Sequence, residues 1–260
     1  MSFSLAVTEI ARACASTAVT MSVNNMVCEV IQAIGTEEHK MKYIPKICSG
    51  EYPAGGFALT ETMAGSDAAG LQTSAVLDGD HWVLNGSKIF ITSAEYAGVF
   101  VVWAVTDKKA KKGAGISTFL VEGGAPGLTI GRLEHKMGQH ASSTNELIFE
   151  DCRIPKSALM GKMNGGFKTA TGELAGGRIG IGSLGLGIGL AAMDYATRYA
   201  IERKQFDQSI TNFQAIQWMI LPRINLRQAL RTLLLMGRAK ELFGPSLAPW
   251  QWNGPNMGSM

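Results

Sequence analysis

The chain has 260 residues, of which 46% are hydrophobic and 17% are charged, and its formal net charge is +3 at pH 7. This length and composition allow a buried core in one or two globular domains. The charges are scattered, which argues against a nucleic-acid-binding stripe or a polybasic membrane patch. The four cysteines and four histidines lack metal-ligand spacing. No metal site is therefore predicted, and the thiols are expected to be reduced in an interior compartment.

Residues 1–50 have helical periodicity and predict three helices. The second helix is expected to end before Gly35. Thr36, followed by Glu37 and Glu38, is typical of an N-cap with acidic residues in the first turn of the third helix, where they face the positive end of the helix dipole. The first part of the chain is therefore predicted to be helical.

Strand and turn patterns dominate residues 55–155. Runs of β-branched and aromatic residues predict strands at 73–77, 82–84, 99–105, 116–121, 128–130 and 146–149. Two dipeptides, Asp78-Gly79 and Asn85-Gly86, punctuate these runs. Asp-Gly and Asn-Gly pairs favour hairpin turns because both residue types tolerate positive φ. Both are therefore predicted turns.

Helical periodicity returns at Gly166, continues to about Arg203 and resumes near Asn212. Within it, residues 182–192 are apolar and rich in small residues, but this run is far too short to span a bilayer. It predicts a buried, tightly packed helix, and no membrane span is expected. Helices, then a sheet, then helices indicate an α+β protein with segregated layers.

Residues 58–70, ALTETMAGSDAAG, form the most informative stretch. A strand end here runs into a turn rich in glycine and hydroxyl groups. Small residues let a backbone approach a flat ligand, and free N–H and hydroxyl groups can bond its carbonyl or phosphate oxygens. Composition alone favours an ordinary tight turn, since such turns are common.

The order of the residues carries more information than their composition. LTE-x-x-AGSD-x-x-G at 59–70 and NGSKIFIT at 85–92 resemble two signatures of the acyl-CoA dehydrogenase family. Further matches follow in the family's order and spacing at residues 136–139, 142, 144, 149, 151, 155, 165–167, 177–179, 202–206 and 213–214. The resemblance covers about residues 5–220.

The resemblance implies an acyl-CoA dehydrogenase-like α+β fold. It predicts a partial N-terminal helical domain at 1–54, a middle β domain, barrel-like or a sandwich, at 55–160, a partial C-terminal helical bundle at 161–222 and an atypical tail at 223–260. It further implies an FAD-dependent enzyme that oxidises acyl-CoA thioesters to 2-enoyl-CoA and passes electrons to an electron-transferring flavoprotein. A homo-oligomer, a tetramer or a dimer, is expected in the cytoplasm or, in a eukaryote, in the mitochondrial matrix.

The same resemblance assigns cofactor contacts to both signatures and to the last helices. Phe90 should stack on the flavin ring, and the Thr92 hydroxyl should lie at flavin N5, the atom that accepts hydride. Without the family, both would be ordinary alternating strand residues. The full set of predicted cofactor residues is Phe57, Ala58, Leu59, Thr60, Ser66, Phe90, Ile91, Thr92, Arg203 and Gln214.

The resemblance implies more specific roles for four residues: Arg203, Gln214, Ser66 and Arg178. Arg203 and Gln214 resemble residues that reach the FAD of a neighbouring subunit, with the arginine near the pyrophosphate, a task that suits its forked, permanent charge. Read without the family, Arg203 is a solvated cation at a helix end. Ser66 is also expected near the CoA moiety, and Arg178 near the thioester end of the substrate.

The reaction needs a carboxylate that removes the α-proton, and no such residue is identified. In most of the family this glutamate lies in a downstream segment that the sequence lacks. In a minority it occupies the position of Gly177 here. Glu173, one helical turn earlier, is the weak candidate. Ala175 stands where relatives often have aspartate.

The family pattern is expected to end after Ile220, which leads to the hypothesis of an incomplete or frame-disrupted gene product. An acyl-CoA dehydrogenase by descent is the leading interpretation. The alternative is a non-catalytic remnant that binds flavin or acyl-CoA and lacks the base glutamate. A third is a related flavoenzyme, such as a nitroalkane oxidase or a flavin monooxygenase on the same fold.

Overall fold

A computed structural model describes residues 2–221 and has an α+β architecture, which confirms the predicted fold class. The predicted tail at 223–260 lies outside the described residues. The helices and strands, in chain order, are α1 Ser2–Ala13, α2 Ala15–Ile34, α3 Glu37–Ser49, β1 Ala54–Ala58, β2 Ser74–Asp78, β3 His81–Thr92, β4 Ala97–Val105, β5 Ile116–Glu122, β6 Leu128–Leu133, β7 Thr144–Pro155, β8 Leu159–Met160, α4 Gly166–Glu202, β9 Lys204–Gln205, β10 Gln208–Ser209 and α5 Gln214–Ile220.

The three N-terminal helices form as predicted, and Thr36 is the N-cap of α3. Its hydroxyl accepts the backbone N–H of His39 at 3.2 Å, and His39 Nδ1 accepts the backbone N–H of Thr36 at 3.3 Å. This reciprocal pair satisfies two N–H groups that a helix start would otherwise leave unbonded. The cap therefore marks the point where the short connection from α2 stops and α3 begins, and it fixes the direction of α3.

Eight strands form one sheet in the order β6-β7-β3-β2-β4-β5-β8, with β1 added in parallel to β4. The side chains of β4 alternate between two apolar cores. Phe100, Val102 and Ala104 enter a core made by the strands, whereas Val99, Val101 and Trp103 pack with α2, α3 and the start of α4. Strand β4 is therefore buried on both faces, which explains its continuous apolar sequence.

The strand-only core shows that the sheet curls. The rings of Trp82 on β3 and Phe119 on β5 lie 5.2 Å apart between centroids, although β2 and β4 separate these strands in the sheet. Two non-adjacent strands can meet in this way only if the sheet bends over its own inner face. This curvature is in line with the predicted barrel-like or sandwich middle domain.

Strand β3 is longer than predicted, and the hairpin expected at Asn85-Gly86 is wrong. These two residues lie inside β3 at a register shift against β7. Gly86 has φ of +142°, and a Cβ there would lie 2.7 Å from Thr73 Cα. The Asn85 side chain accepts the backbone N–H of Asp151 and donates to its carboxylate. The dipeptide therefore makes a bulge and a cross-strand contact in place of a turn.

Helix α4 packs against α1 and α2 through small residues, as its composition predicts. A Cβ on Gly180 would lie 2.7 Å from Ser22 Oγ, and one on Gly187 would collide with the Thr8 carbonyl oxygen. The apolar run at 182–192 belongs to a helix of 37 residues. Among the described helices, α4 alone is long and apolar enough to cross a membrane; this is weak evidence, since core helices of soluble proteins pass the same test.

We predict opposite effects for two alanine substitutions in α4. Gly185→Ala should raise the free energy of unfolding by about 0.5–1 kcal/mol, because alanine favours helix and nothing lies within 4 Å of the new Cβ. Gly187→Ala should lower it by about 1 kcal/mol or more, since overpacking against α1 outweighs the helix preference. Urea unfolding followed by far-UV circular dichroism measures both. Equal shifts in the two variants would contradict the packing of α4 on α1.

Candidate functional site

The two family-like signatures meet at one edge of the sheet. The backbone N–H of Ile89 on β3 donates to the carbonyl of Thr60, just after β1, at 2.9 Å. Glu61 and Ala64 then close a tight turn with two backbone hydrogen bonds of 3.1 and 3.0 Å. The predicted cofactor residues after β1 and those at the end of β3 are therefore neighbours in space.

A buried ion pair underlies this junction. Lys88 Nζ lies 2.7 Å from Glu61 Oε1, and the relative exposures of the two side chains are 0% and 8%. Lys88 also donates to the Leu59 carbonyl at 3.2 Å. The Glu61 carboxylate accepts the backbone N–H groups of Gln72 at 2.5 Å and Thr73 at 3.0 Å. The carboxylate thus ties three chain segments together.

The two members of the pair respond to burial in different ways. Burial lowers the pKa of Lys88 to about 8, against the attraction of Glu61. Burial alone would raise the pKa of Glu61, but Lys88 and the Thr73 and Gln72 hydrogen bonds lower it below its ordinary value overall. The short Lys88–Glu61 contact of 2.7 Å thus opposes the effect of burial on both groups.

The ion pair was missed in the sequence. Glu61 and Lys88 belong to the two signatures at 59–70 and 85–92, and neither signature predicts that they pair. The strand alternation does contain the signal, since Trp82, Leu84 and Lys88 share the buried parity of β3. A lysine at such a position needs a buried acidic partner.

Phe90 does not follow the strand alternation. The β3–β7 register shifts between Lys88 and Ile91, and Phe90 has φ of +59° with 59% of its surface exposed. Ile91 returns to the core, and Thr92 is half-buried and pairs with Thr144 of β7. The bulge therefore turns the phenyl ring outward beside Thr92, a device that proteins often use next to functional sites.

The residues of β1 offer main chain rather than side chains. Ala58 and Leu59 are buried, and the Phe57 ring packs on Trp103 at 4.5 Å between centroids. Thr60 is half-buried, and Ser66 is exposed beside Asp67, whose carboxylate contacts Lys112. Of the predicted set near this edge, Phe57, Thr60 and Thr92 are half-buried, and Ser66 and Phe90 are exposed.

Arg203 and Gln214 follow the C-terminal end of α4. The start of α4 is fixed at the sheet by a hydrogen bond from Trp103 Nε1 to the Gly166 carbonyl at 3.0 Å. The 37 residues of α4 extend about 55 Å at 1.5 Å per residue, and both residues follow its end. That they reach a neighbouring subunit stays a prediction.

The predicted substrate end of the site lies on the first half of α4. Arg178 is exposed, and Glu173 is half-buried one turn before Gly177. Gly177 is buried, and a Cβ there would lie 2.8 Å from the sulfur of Met26 on α2. The position that carries a glutamate in a minority of the family is thus filled by a neighbouring side chain here.

A cavity of about 340 Å³ lies elsewhere, between α3 and the connection from β5 to β6. None of the predicted site residues lines it. Several of its polar groups bond one another: Lys42 contacts Glu122 at 2.7 Å, and His39 Nε2 lies 2.8 Å from the Ser157 carbonyl. We therefore regard it as a gap between helix and sheet, and the open edge at Phe90 as the candidate site.

Helices flank a curled sheet, and the two signatures are joined at the edge of this sheet. This α+β architecture agrees with the comparison with known proteins. Three domain families match in order: acyl-CoA dehydrogenase N-terminal domain at residues 1–51, middle domain at 56–152 and C-terminal domain at 164–240. The chain belongs to the acyl-CoA dehydrogenase family. The match to residue 240 also shows that the expected end of the family pattern after Ile220 was wrong.

Among curated relatives, the short-chain-specific acyl-CoA dehydrogenase of Clostridium acetobutylicum is 45% identical over 221 residues, which are 85% of this chain and 58% of that protein. The chain therefore spans little more than half the length of such relatives. One similar solved structure comes from work on the electron transferring flavoprotein of Acidaminococcus fermentans and flavin-based electron bifurcation. A chain in that structure has a TM-score of 0.90 and 44% identity to this chain. The match covers 92% of this chain and 63% of that one.

Two further structures resemble the chain. Butyryl-CoA dehydrogenase from Megasphaera elsdenii has a TM-score of 0.89 and 38% identity, over 92% of this chain and 63% of that one. Glutaryl-CoA dehydrogenase from Mycobacterium smegmatis, in complex with FADH2, has a TM-score of 0.78 and 32% identity, over 87% of this chain and 57% of that one. The fold is thus shared along most of this chain.

We predict that Phe90→Asn is more stable than Phe90→Ala by about 1 kcal/mol. Both variants lose the same partly buried ring, but asparagine tolerates the left-handed backbone that Phe90 adopts, whereas alanine does not. Chemical unfolding of the two variants gives the difference directly. An alanine variant as stable as the asparagine variant would mean that residue 90 is not held at positive φ.

Proposed function

We propose that the chain holds FAD at the edge formed by Thr60, Phe90 and Thr92 and takes part in the α,β-dehydrogenation of acyl-CoA thioesters to 2-enoyl-CoA. The observation that carries the proposal is Phe90, an aromatic side chain held outward on a left-handed bulge next to a half-buried threonine. An exposed phenylalanine in a costly backbone conformation has no evident role in folding. A flat aromatic ligand gives it one.

The residues present fit an isoalloxazine ring. Phe90 offers a face for stacking, Thr92 a hydroxyl for a ring nitrogen, and the backbone around Thr60 donors and acceptors for the polar edge. When bound, FAD supplies the acceptor for the hydride that leaves the β-carbon of the acyl group. Thr92 would stabilise negative charge that develops at the ring as hydride arrives. The structure of an FADH2-bound relative supports this choice of cofactor.

The α-proton must pass to a carboxylate, and Glu173 is the candidate within the described residues. It is half-buried on α4, one turn from Gly177 and near Arg178. Arg178 and Ser66 are proposed to contact the acyl-CoA substrate. Short acyl chains are favoured by the short-chain and butyryl-CoA relatives.

A second function remains open because of Gly177. This position, which carries the base in a minority of the family, has no side chain and is packed against Met26. A chain of this kind that bound flavin and acyl-CoA without oxidising the substrate would be the catalytically incomplete remnant. The two functions differ only in whether bound flavin is reduced.

The proposal extends to partners and location. Electrons would pass from the reduced flavin to an electron-transferring flavoprotein. The Acidaminococcus structure supports such a partner. Arg203 and Gln214, which follow the C-terminal end of α4, would serve the FAD of another subunit in a dimer or tetramer. The four cysteines are free thiols, which agrees with the cytoplasm or the mitochondrial matrix.

Anaerobic addition of butyryl-CoA to the purified full chain, reconstituted with FAD, separates these alternatives. Bleaching of the oxidised flavin band would support dehydrogenation, and Glu173→Gln should then abolish it. Bound flavin that stays oxidised would support the binding-only function. Failure to bind FAD at all would contradict the proposed site.

We predict that Thr92→Val keeps FAD bound but slows its reduction by about 10- to 100-fold. The loss corresponds to one hydrogen bond to a charged group, about 1.5–3 kcal/mol. Stopped-flow absorbance measures the rate constant. Thr129→Val, at an exposed position of β6, is the matched control and should leave the rate unchanged. An unaltered rate in Thr92→Val would show that the Thr92 hydroxyl does not stabilise charge on the flavin ring.

A further inference from the structure

The Glu61–Lys88 pair is set apart from the other ion pairs of the described residues. Its side chains expose 0% and 8% of their surface, whereas every member of the other pairs exposes at least 22%. Burying two charges is costly, and their attraction often does no more than offset that cost. A well-packed apolar pair would serve folding as well, so the pair is better explained by the geometry that it imposes.

The pair fixes where the chain runs on both sides of the candidate site. Lys88 is the last residue of β3 before the bulge, and Phe90 follows two residues later. From this position its ammonium group holds the Leu59 carbonyl and the Glu61 carboxylate. The neighbouring Ile89 N–H then meets the Thr60 carbonyl. The end of β1 and the bulge of β3 are thus joined by one charged group and one backbone bond.

Glu61 extends the junction to a third segment. Its carboxylate accepts the N–H groups of Gln72 and Thr73, and the Thr73 hydroxyl donates to the Ser87 carbonyl at 3.3 Å. The glycine-rich turn at 61–70 is thereby closed at both ends against β3. The exposed residues of this turn, which include Ser66, therefore lie between two fixed points of the chain.

We propose that Lys88 and Glu61 are positioning residues that set the spacing between the Thr60 backbone and the Phe90–Thr92 bulge, and so shape the edge that takes the flavin ring. The claim about flavin rests on the function proposed above. Both groups lie beneath the surface and act through Leu59, Thr60 and Ile89, and neither touches the cofactor.

The test compares the single variants Glu61→Gln and Lys88→Met with the double variant. Each single variant leaves one charge, or a polar group shaped for it, buried without its partner, and should lower the urea midpoint of unfolding. The double variant removes both charges and keeps one amide oxygen, which can accept the N–H of Gln72 or of Thr73 in place of the two carboxylate oxygens. It should recover most of the lost stability, so that local effects can be read without global unfolding.

Two readouts on the double variant decide the proposal. Hydrogen exchange of the Ile89 amide, which bonds Thr60, should become at least tenfold faster than in the wild type. The dissociation constant for FAD, from titration of flavin fluorescence, should rise at least tenfold. The double variant Asp78→Asn with Arg153→Met removes an exposed pair at 2.8 Å and should change neither value.

The outcomes separate this inference from the proposed function. Unchanged Ile89 exchange would overturn the positioning role whether or not FAD binds. Faster exchange with an unchanged dissociation constant would overturn its relevance to the flavin edge. If the wild type binds no FAD, the proposed function fails, and the amide exchange alone still decides whether the pair positions the two segments.

Discussion

The structure depends above all on β4, a strand buried on both faces. Residues 99–104 are fully buried, and their side chains alternate between the strand core and the helix-facing core. A shift by one residue would move Trp103 into the wrong core and break its hydrogen bond to Gly166, so the register of β4 is strongly specified. Because β1 pairs with β4, the turn that follows β1 begins at a rigid point.

The candidate site is a short irregular segment attached to this rigid scaffold. On β3, a fully buried lysine and an exposed phenylalanine stand two residues apart, which an uninterrupted strand would place on the same face. The bulge resolves this conflict by turning Phe90 outward while the ion pair holds Lys88 in place. Local strain next to firm anchoring is a common arrangement where a protein must present groups to a ligand.

Most of the elements could be predicted from the sequence, because each carries a local signal. The Thr36 cap, the apolar run of β4 and the small residues of α4 reflect contacts within one element or on one face of it. The Asn85-Gly86 turn was wrong because the same positive φ that makes a hairpin also makes a bulge. The choice between them lies in the pairing with β7, which is not a local property.

The site was predictable only in part. Its two segments were identified by resemblance, and the structure places them side by side through Thr60 and Ile89. The buried partner of Lys88 and the left-handed backbone of Phe90 depend on contacts between residues far apart in the chain. The unbroken length of α4, 37 residues, likewise depends on its packing against α1 and α2.

The most direct test of the account is a crystal structure of the full chain with FAD bound. The account predicts the isoalloxazine ring against the face of Phe90, with its polar edge at the Thr60 backbone and the Thr92 hydroxyl at a ring nitrogen. A flavin ring bound elsewhere, such as in the cavity beside α3, would contradict it.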